Sequence, residues 1–273
     1  MKNFNGLSDY HLHCRFSSDS YTAPEDMVKQ AVSLGLNHIC FTDHNDFDYP
    51  PENGKILFQL DLDSYFQEIS MLREKYNNII DINIGVEQGL QPHLSEQTDK
   101  YDSLSRLDFI IGSTHIVDGA DPYYPSFWQK RSPKECIIQY FENIYKCVCC
   151  CNNFDVYGHL DYIIRYSPEK DTNYNPSVYA DIIDEILKKL IDNGKGIEIN
   201  TAGLKYGLKE ANPCLSVIKR YRELGGEIIT TGSDAHRPAD MAYSFEVLSS
   251  LLEKGGFSYY TIFRNRKPYF IKL

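Results

Sequence analysis

Near the start of the chain, the stretch Ser8-Asp9-Tyr10-His11-Leu12-His13 follows Phe4-Asn5-Gly6-Leu7 and reads as the end of a short β-strand. Side chains two apart on a strand project from one face, so His11 and His13 can offer both imidazoles to a single metal ion. Taken alone, the pair is equally well two unrelated polar residues at a strand end. The same chemistry recurs along the chain: Thr42-Asp43-His44, Gly85-Val86-Glu87, Ser113-Thr114-His115, Gly158-His159, Asn200 and Ser233-Asp234-Ala235-His236 each close an apolar run.

These endings belong to a repeating pattern. A helix opens at Ala23-Pro24-Glu25-Asp26 and stops at Gly35, and Asn37–Thr42 is a strand. A helix over Leu62–Tyr76 precedes a strand from Ile79 to Glu87. A long segment containing His93 leads to a strand at Leu107–Gly112. A helix from Pro133 to about Cys151 precedes the Phe154–Tyr157 strand, and one from Val178 to Asn193 precedes Gly196–Ile199. A helix over Cys214–Leu224 then precedes Glu227–Thr231, and a last helix from Asp240 to Lys254 leads to apolar stretches around Tyr260 and Phe270.

Seven strands alternating with helices predict an α/β chain with a parallel sheet, enough to close into a barrel. With no Ser/Gly- or Pro-rich linker, residues 1–273 are expected to form a single domain. In such a barrel the C-terminal strand ends share one rim, where active sites form. Six of the eight histidines fall at strand ends on that rim, while His38 sits at the opposite end of its strand and is excluded. So many imidazoles and carboxylates exceed the needs of one ion, which implies two or three ions of zinc, iron or manganese. Glu87, with two carboxylate oxygens, is the natural bridge. Because neighbouring strand residues point opposite ways, His44 is read as a ligand and Asp43 as a partner in a supporting hydrogen bond.

Composition bounds the partners. The formal net charge is -10, with no basic excess to neutralise a phosphate backbone, so nucleic acid is not expected as the partner. Bound divalent cations would make a site locally positive for an anionic substrate. No apolar run reaches the ~20 residues of a membrane helix and no signal-peptide pattern is present, so the expected location is the cytoplasm. The eight cysteines show neither paired CxxC knuckles nor the density of a disulfide scaffold. Cys147, Cys149, Cys150 and Cys151 cluster on a helix and are read chiefly as small apolar residues, with a metal or redox role left open.

Together, His11-Leu12-His13, Thr42-Asp43-His44, Gly85-Val86-Glu87, Ser113-Thr114-His115, Gly158-His159-Leu160-Asp161 and Gly232-Ser233-Asp234-Ala235-His236 resemble the polymerase and histidinol phosphatase (PHP) superfamily. The resemblance implies a distorted (β/α)7 barrel with a metal site at the C-terminal rim of the strands and three divalent transition-metal ions (Zn, Mn or Fe). It assigns His11, His13, Glu87 and Asp234 to the first ion and Glu87, His115 and His159 to the second. Asp19, His44 and His236 would hold the third. Within the superfamily the sequence is most similar to the histidinol-phosphate phosphatase branch, in Gly158–Tyr166, Glu198–Lys205, Asp234–Pro238 and Asn265-Arg266-Lys267-Pro268. That branch commonly carries arginine where this chain has Lys205, which keeps the charge but loses the bidentate fork.

The implied reaction is hydrolysis of a small-molecule phosphate ester, L-histidinol phosphate, in histidine biosynthesis. A metal-bridging hydroxide would attack phosphorus, with no protein nucleophile. Arg165, Lys205 and Arg237 are the candidates for holding the substrate phosphate. Glu198 is read either as a partner for the substrate amine or as half of a local buried pair, and His93 as a residue that could touch the imidazole or as an exposed loop histidine. The alternative within the superfamily is a phosphoesterase acting on nucleotides or phosphotyrosine. Sequence leaves the oligomeric state unread.

Overall fold

The computed structural model describes Phe4, residues 6–100, 102–129 and 131–273; Asn5, read ahead of the first strand, lies outside them. Seven strands run parallel in the order β1 (Ser8–Leu12), β2 (His38–Phe41), β4 (Asp81–Gly89), β5 (Phe109–Ser113), β6 (Val156–Tyr157), β7 (Gly196–Asn200) and β8 (Ile229–Gly232). A two-residue strand, β3 (His44–Asn45), extends β2's side of the sheet and pairs with the upper half of β4, aligning His44 with Glu87. The ring closes between β8 and β1. There the Thr231 hydroxyl donates to the Ser8 carbonyl at 2.8 Å, Asp234 N–H to the His11 carbonyl at 2.9 Å, and His13 N–H to the Ala235 carbonyl at 2.9 Å. This is the closed parallel barrel that the alternation predicts and the distorted (β/α)7 barrel that the resemblance implies.

Strands covered on both sides should read as buried throughout, and β1, β5, β7 and β8 do at every position. The outer layer follows the sequence signals closely. The Pro24–Leu34 helix has Pro at its first turn and ends at Gly35, whose φ of 72° only glycine adopts readily. The Pro133–Cys150 helix opens with a reciprocal capping box between Ser132 and Glu135. The Leu62–Tyr76 helix has the predicted bounds.

Two regions depart from expectation. The last helix spans only Leu248–Lys254, because Ala242 and Ser244 take φ of 52° and 56°, outside the helical region, and the Ala242 N–H donates to Asp9 Oδ2 at 3.1 Å. The final apolar stretches form an antiparallel hairpin, β9 (Tyr259–Arg264) and β10 (Lys267–Lys272), turning at Asn265-Arg266 with φ of 48° and 62°. Its tip serves the opposite, N-terminal end of the barrel. Arg264 pairs with Asp81 at 2.7 Å, Asn265 N–H donates to Asp108 at 3.0 Å, and Arg266 pairs with Asp155 at 2.6 Å, three acids that lie at or just before β4, β5 and β6. That places Asn265-Arg266-Lys267-Pro268 away from the strand-end rim.

Candidate metal centre

Three clusters of side chains meet over the C-terminal strand ends. In the first, His11 Nε2 and His13 Nε2 lie 3.1 and 3.4 Å from Glu87 Oε2, and His13 Nε2 is 3.5 Å from Asp234 Oδ1. In the second, Glu87 Oε1 is 3.1 Å from His115 Nε2 and 2.7 Å from His159 Nε2. The third gathers at Asp19 Oδ2, 3.0 Å from His236 Nε2 and 3.7 Å from His44 Nε2. Glu87 therefore turns one oxygen to each of two clusters, the geometry expected of a bridge. All nine residues predicted as ligands come together.

Three of the imidazoles are aimed by a partner behind them. His11 Nδ1 donates to Glu198 Oε1 at 2.7 Å and His115 Nδ1 to Asp46 Oδ1 at 2.8 Å. His13 Nδ1 donates to the Ser17 hydroxyl at 3.1 Å, which donates in turn to Asp43 Oδ1 at 2.7 Å, so Asp43 plays the supporting part expected of it. Such contacts fix the tautomer that leaves the Nε2 lone pair free for a metal. Close approach is required behind them. A Cβ on Gly232 would collide with Glu198 Oε1 and His11 Cβ, and one on Gly89 with the Asp46 carboxylate. Asp234 and His159 hold positive φ, 55° and 23°, pinned by their own N–H groups on the His11 carbonyl and Glu198 Oε2 at 2.9 Å each.

Whether these residues suit cations is tested by what the protein leaves unpaired. His11 Nε2, His13 Nε2, His44 Nδ1, His236 Nε2, Glu87 Oε2 and Asp46 Oδ2 are buried without a hydrogen-bond partner. Buried polar atoms are nearly always satisfied, so this convergence fits bound divalent ions, and imidazole with carboxylate suits zinc, manganese or iron. The electrostatics agree. Burial opposes the charge on His11, yet Glu198, Glu87 and Asp234 raise its pKa well above the ordinary value. Burial likewise opposes the charge on Glu87, and His11, His115 and His44 hold its carboxyl well below the usual range. Burial, His236 and His44 press the pKa of His13 down.

Sequence reasoning missed Asp46, which with His44 and His115 forms a further close cluster of possible ligand atoms. Its signal was the same two-residue spacing, His44 to Asp46. Glu198 is buried among His11, the His159 N–H and Asn200, the local pairing rather than an amine site. His93 pairs with Asp48 at 3.0 Å and is half exposed, as a loop histidine.

The clusters open into a cavity of about 390 Å³ that Arg165 and the rings of Tyr49, Phe58, Tyr123, Tyr162 and Tyr166 also line. Of the three cations expected to meet phosphate, Arg165 alone borders it. Lys205 and Arg237 both sit on Asp240 Oδ2 at 2.6 Å, outside the lining. The cysteines are all free; Cys147 and Cys151 are buried and Cys149 exposed, and among the described residues no cysteine joins a metal-like cluster.

A PHP domain family model matches residues 9–202. A histidinol-phosphatase from Lactococcus lactis is 32% identical over 260 residues, 95% of each chain. A probable histidinol-phosphatase from Clostridium acetobutylicum is 34% identical, covering 87% of this chain and 89% of that one. The crystal structure of histidinol phosphate phosphatase from Lactococcus lactis, complexed with zinc, L-histidinol and phosphate, superposes with a TM-score of 0.88 at 30% identity, covering 97% of this chain and 100% of that one. With its barrel, its strand-end histidines and acids and these relatives, the chain belongs to the PHP domain family, in the histidinol-phosphatase branch.

Proposed function

We propose that the protein is a metal-dependent phosphomonoesterase that hydrolyses L-histidinol phosphate to L-histidinol and phosphate in histidine biosynthesis. The observation that carries this reading is the convergence of nine ligand-type side chains, several with unpaired buried atoms, on a cavity that Arg165 borders. The likeness over nearly the whole chain to a phosphatase crystallised with zinc, L-histidinol and phosphate supports the substrate.

His11, His13, Glu87 and Asp234 would hold one ion, Glu87, His115 and His159 a second, and Asp19, His44 and His236 a third. Zinc, manganese and iron all suit these donors. Bound there, such ions lower the pKa of water towards ~7 and neutralise charge on the phosphoryl oxygens. The protein's own part is placement. Arg165, fixed at the cavity wall, supplies N–H donors to the phosphoryl oxygens. The tyrosine rings offer flat faces to an aromatic leaving group and narrow the space open to bulk water. Lys205 and Arg237 are assigned to hold Asp240 instead of phosphate.

One continuous buried core runs from Phe4 to Phe263 and supports reading residues 1–273 as one domain. Eight unpaired thiols support a cytoplasmic location, and the net charge of -10 supports a small-molecule substrate over nucleic acid. Among the described residues no helix is long and apolar enough to cross a membrane. Titrating metal-stripped protein with zinc while following bound metal and phosphate release tests the reading: activity should rise with occupancy and be absent from the stripped protein. Full turnover without metal would refute it.

A further inference from the structure

Arg165 is held on three sides. Its Nε donates to Asn212 Oδ1 at 2.9 Å, Nη1 to Asp234 Oδ2 at 2.8 Å and Nη2 to Asn200 Oδ1 at 2.7 Å. The Tyr162 and Tyr206 rings lie 5.2 and 5.5 Å from the guanidinium carbon, and the side chain is 1% exposed. A guanidinium has five N–H donors. With these three engaged, two are left, one on each terminal nitrogen, for the cavity that Arg165 lines.

That arrangement depends on which way the two amides face. An asparagine amide presents an acceptor on one side and donors on the other, and only the acceptor suits arginine. Asn200 is fixed by its Nδ2, which donates to Glu198 Oε2 at 3.1 Å. Asn212 is fixed from the other side of the barrel rim: its Nδ2 donates to Asp161 Oδ1 at 2.5 Å, while Asp161 Oδ2 accepts the Cys214 N–H at 3.2 Å. Asp161 and Asn212 are both buried, with no route for water to substitute for either partner. A carboxylate accepts and does not donate, so Asp161 dictates that the Asn212 oxygen, and not its NH2, meets Arg165.

We propose that Asp161 and Asn212 are a positioning pair for Arg165, setting the polarity of the amide so that the guanidinium turns its two uncommitted N–H groups to the phosphoryl group of the substrate. This rests on the proposed role of Arg165 as the phosphate ligand. The pair touches neither substrate nor the ligand clusters; it acts through the arginine.

Exchanging the two side chains tests the polarity of this contact. Asn212→Asp alone sets two carboxylates against each other at the 2.5 Å contact and should turn the Arg165 side chain aside. The double variant D161N/N212D restores the contact between the two side chains with donor and acceptor exchanged, because the new amide at 161 can donate to 212 and still accept from Cys214. In zinc-loaded protein, Asn212→Asp is expected to raise KM for L-histidinol phosphate and Ki for inorganic phosphate together by about tenfold, with zinc content unchanged and the swap recovering most of both. A readout independent of turnover is the Arg165 Nε–H signal by NMR in metal-free protein, slow to exchange in wild type and in the swap and fast in Asn212→Asp. Unchanged phosphate affinity and exchange in Asn212→Asp, or no recovery in the swap, overturns the proposal. If Asn212→Asp fails to fold, Asn212→Ala is combined with Arg165→Met. The second change should then add almost nothing to the first, and additive losses overturn the pairing. Absence of wild-type turnover on L-histidinol phosphate refutes the substrate instead, and inorganic phosphate affinity with Nε–H exchange then decides on the pair.

Discussion

Glu198→Gln is a near-isosteric change that should disable the first ligand cluster from behind. Glu198 Oε2 accepts two donors, the His159 N–H at 2.9 Å and Asn200 Nδ2 at 3.1 Å, and Oε1 accepts His11 Nδ1–H at 2.7 Å. A glutamine has one oxygen, which the two donors claim, leaving its NH2 facing His11. The imidazole then accepts at Nδ1 and carries its proton on Nε2, the atom that must coordinate. Partners of this kind cost 10–100-fold in metal affinity when lost, or about 1.4–2.8 kcal/mol. The residue is 1% exposed, so water cannot take over the bond. Competition against a chromogenic zinc chelator reads the affinity directly, with thermal melting of the metal-free protein as a control for folding. Zinc binding and turnover both at wild-type level would refute the claim that Glu198 sets the His11 tautomer.

Glu87→Ala should remove activity and strip metal from two clusters at once, checked by bound-metal analysis; near-normal turnover with full metal content would contradict the bridge. Gly232→Ala should push Glu198 off His11 and destabilise the fold by roughly 1–3 kcal/mol, read by denaturant unfolding. Lys205→Arg should leave kcat/KM within about tenfold of wild type, since the residue is tied to Asp240, whereas Arg165→Met should raise KM well beyond that. At the other end of the barrel, burial opposes ionisation of Asp81, but hydrogen bonds from His38 and Arg264 hold its carboxyl well below the ordinary value. A depressed carboxyl pKa adds stability above the unfolded value of ~3.9 and loses it as the pH falls below. Asp81→Asn should therefore cost roughly 1 kcal/mol at neutral pH, less at high salt, with the gap to wild type closing in acid.

The strand-end clusters were legible because a parallel barrel gathers its C-terminal ends at one rim, so a polar residue closing each apolar run is already a spatial statement. Alternation along a strand likewise separated His44 from Asp43. What lay beyond sequence was the wiring behind those residues. Nothing local says that Glu198 bonds His11, 187 positions away, or that Arg165 finds Asn212 and Asp234. Lys205 and Arg237 were read as phosphate ligands because a sequence shows their charge but not that both pair with Asp240. The hairpin escaped because its tip at Asn265-Arg266 is recognisable only once two positive φ angles and three acids at the far rim are seen together. The last helix was over-extended at its start because the pattern is apolar enough before Leu248, while the left-handed backbone at Ala242 and Ser244, with the Ala242 N–H held by Asp9 far away in sequence, shows only in the structure.

The central claim is that this metal site serves a phosphate monoester with a small, aromatic, cationic leaving group. Phosphate release by the zinc-reconstituted protein from L-histidinol phosphate, run beside a nucleoside monophosphate, a cyclic nucleotide and a phosphotyrosine peptide, tests it most directly. The account predicts strong preference for L-histidinol phosphate, dependent on metal and lost in Glu87→Ala. Turnover confined to any of the other three would contradict it.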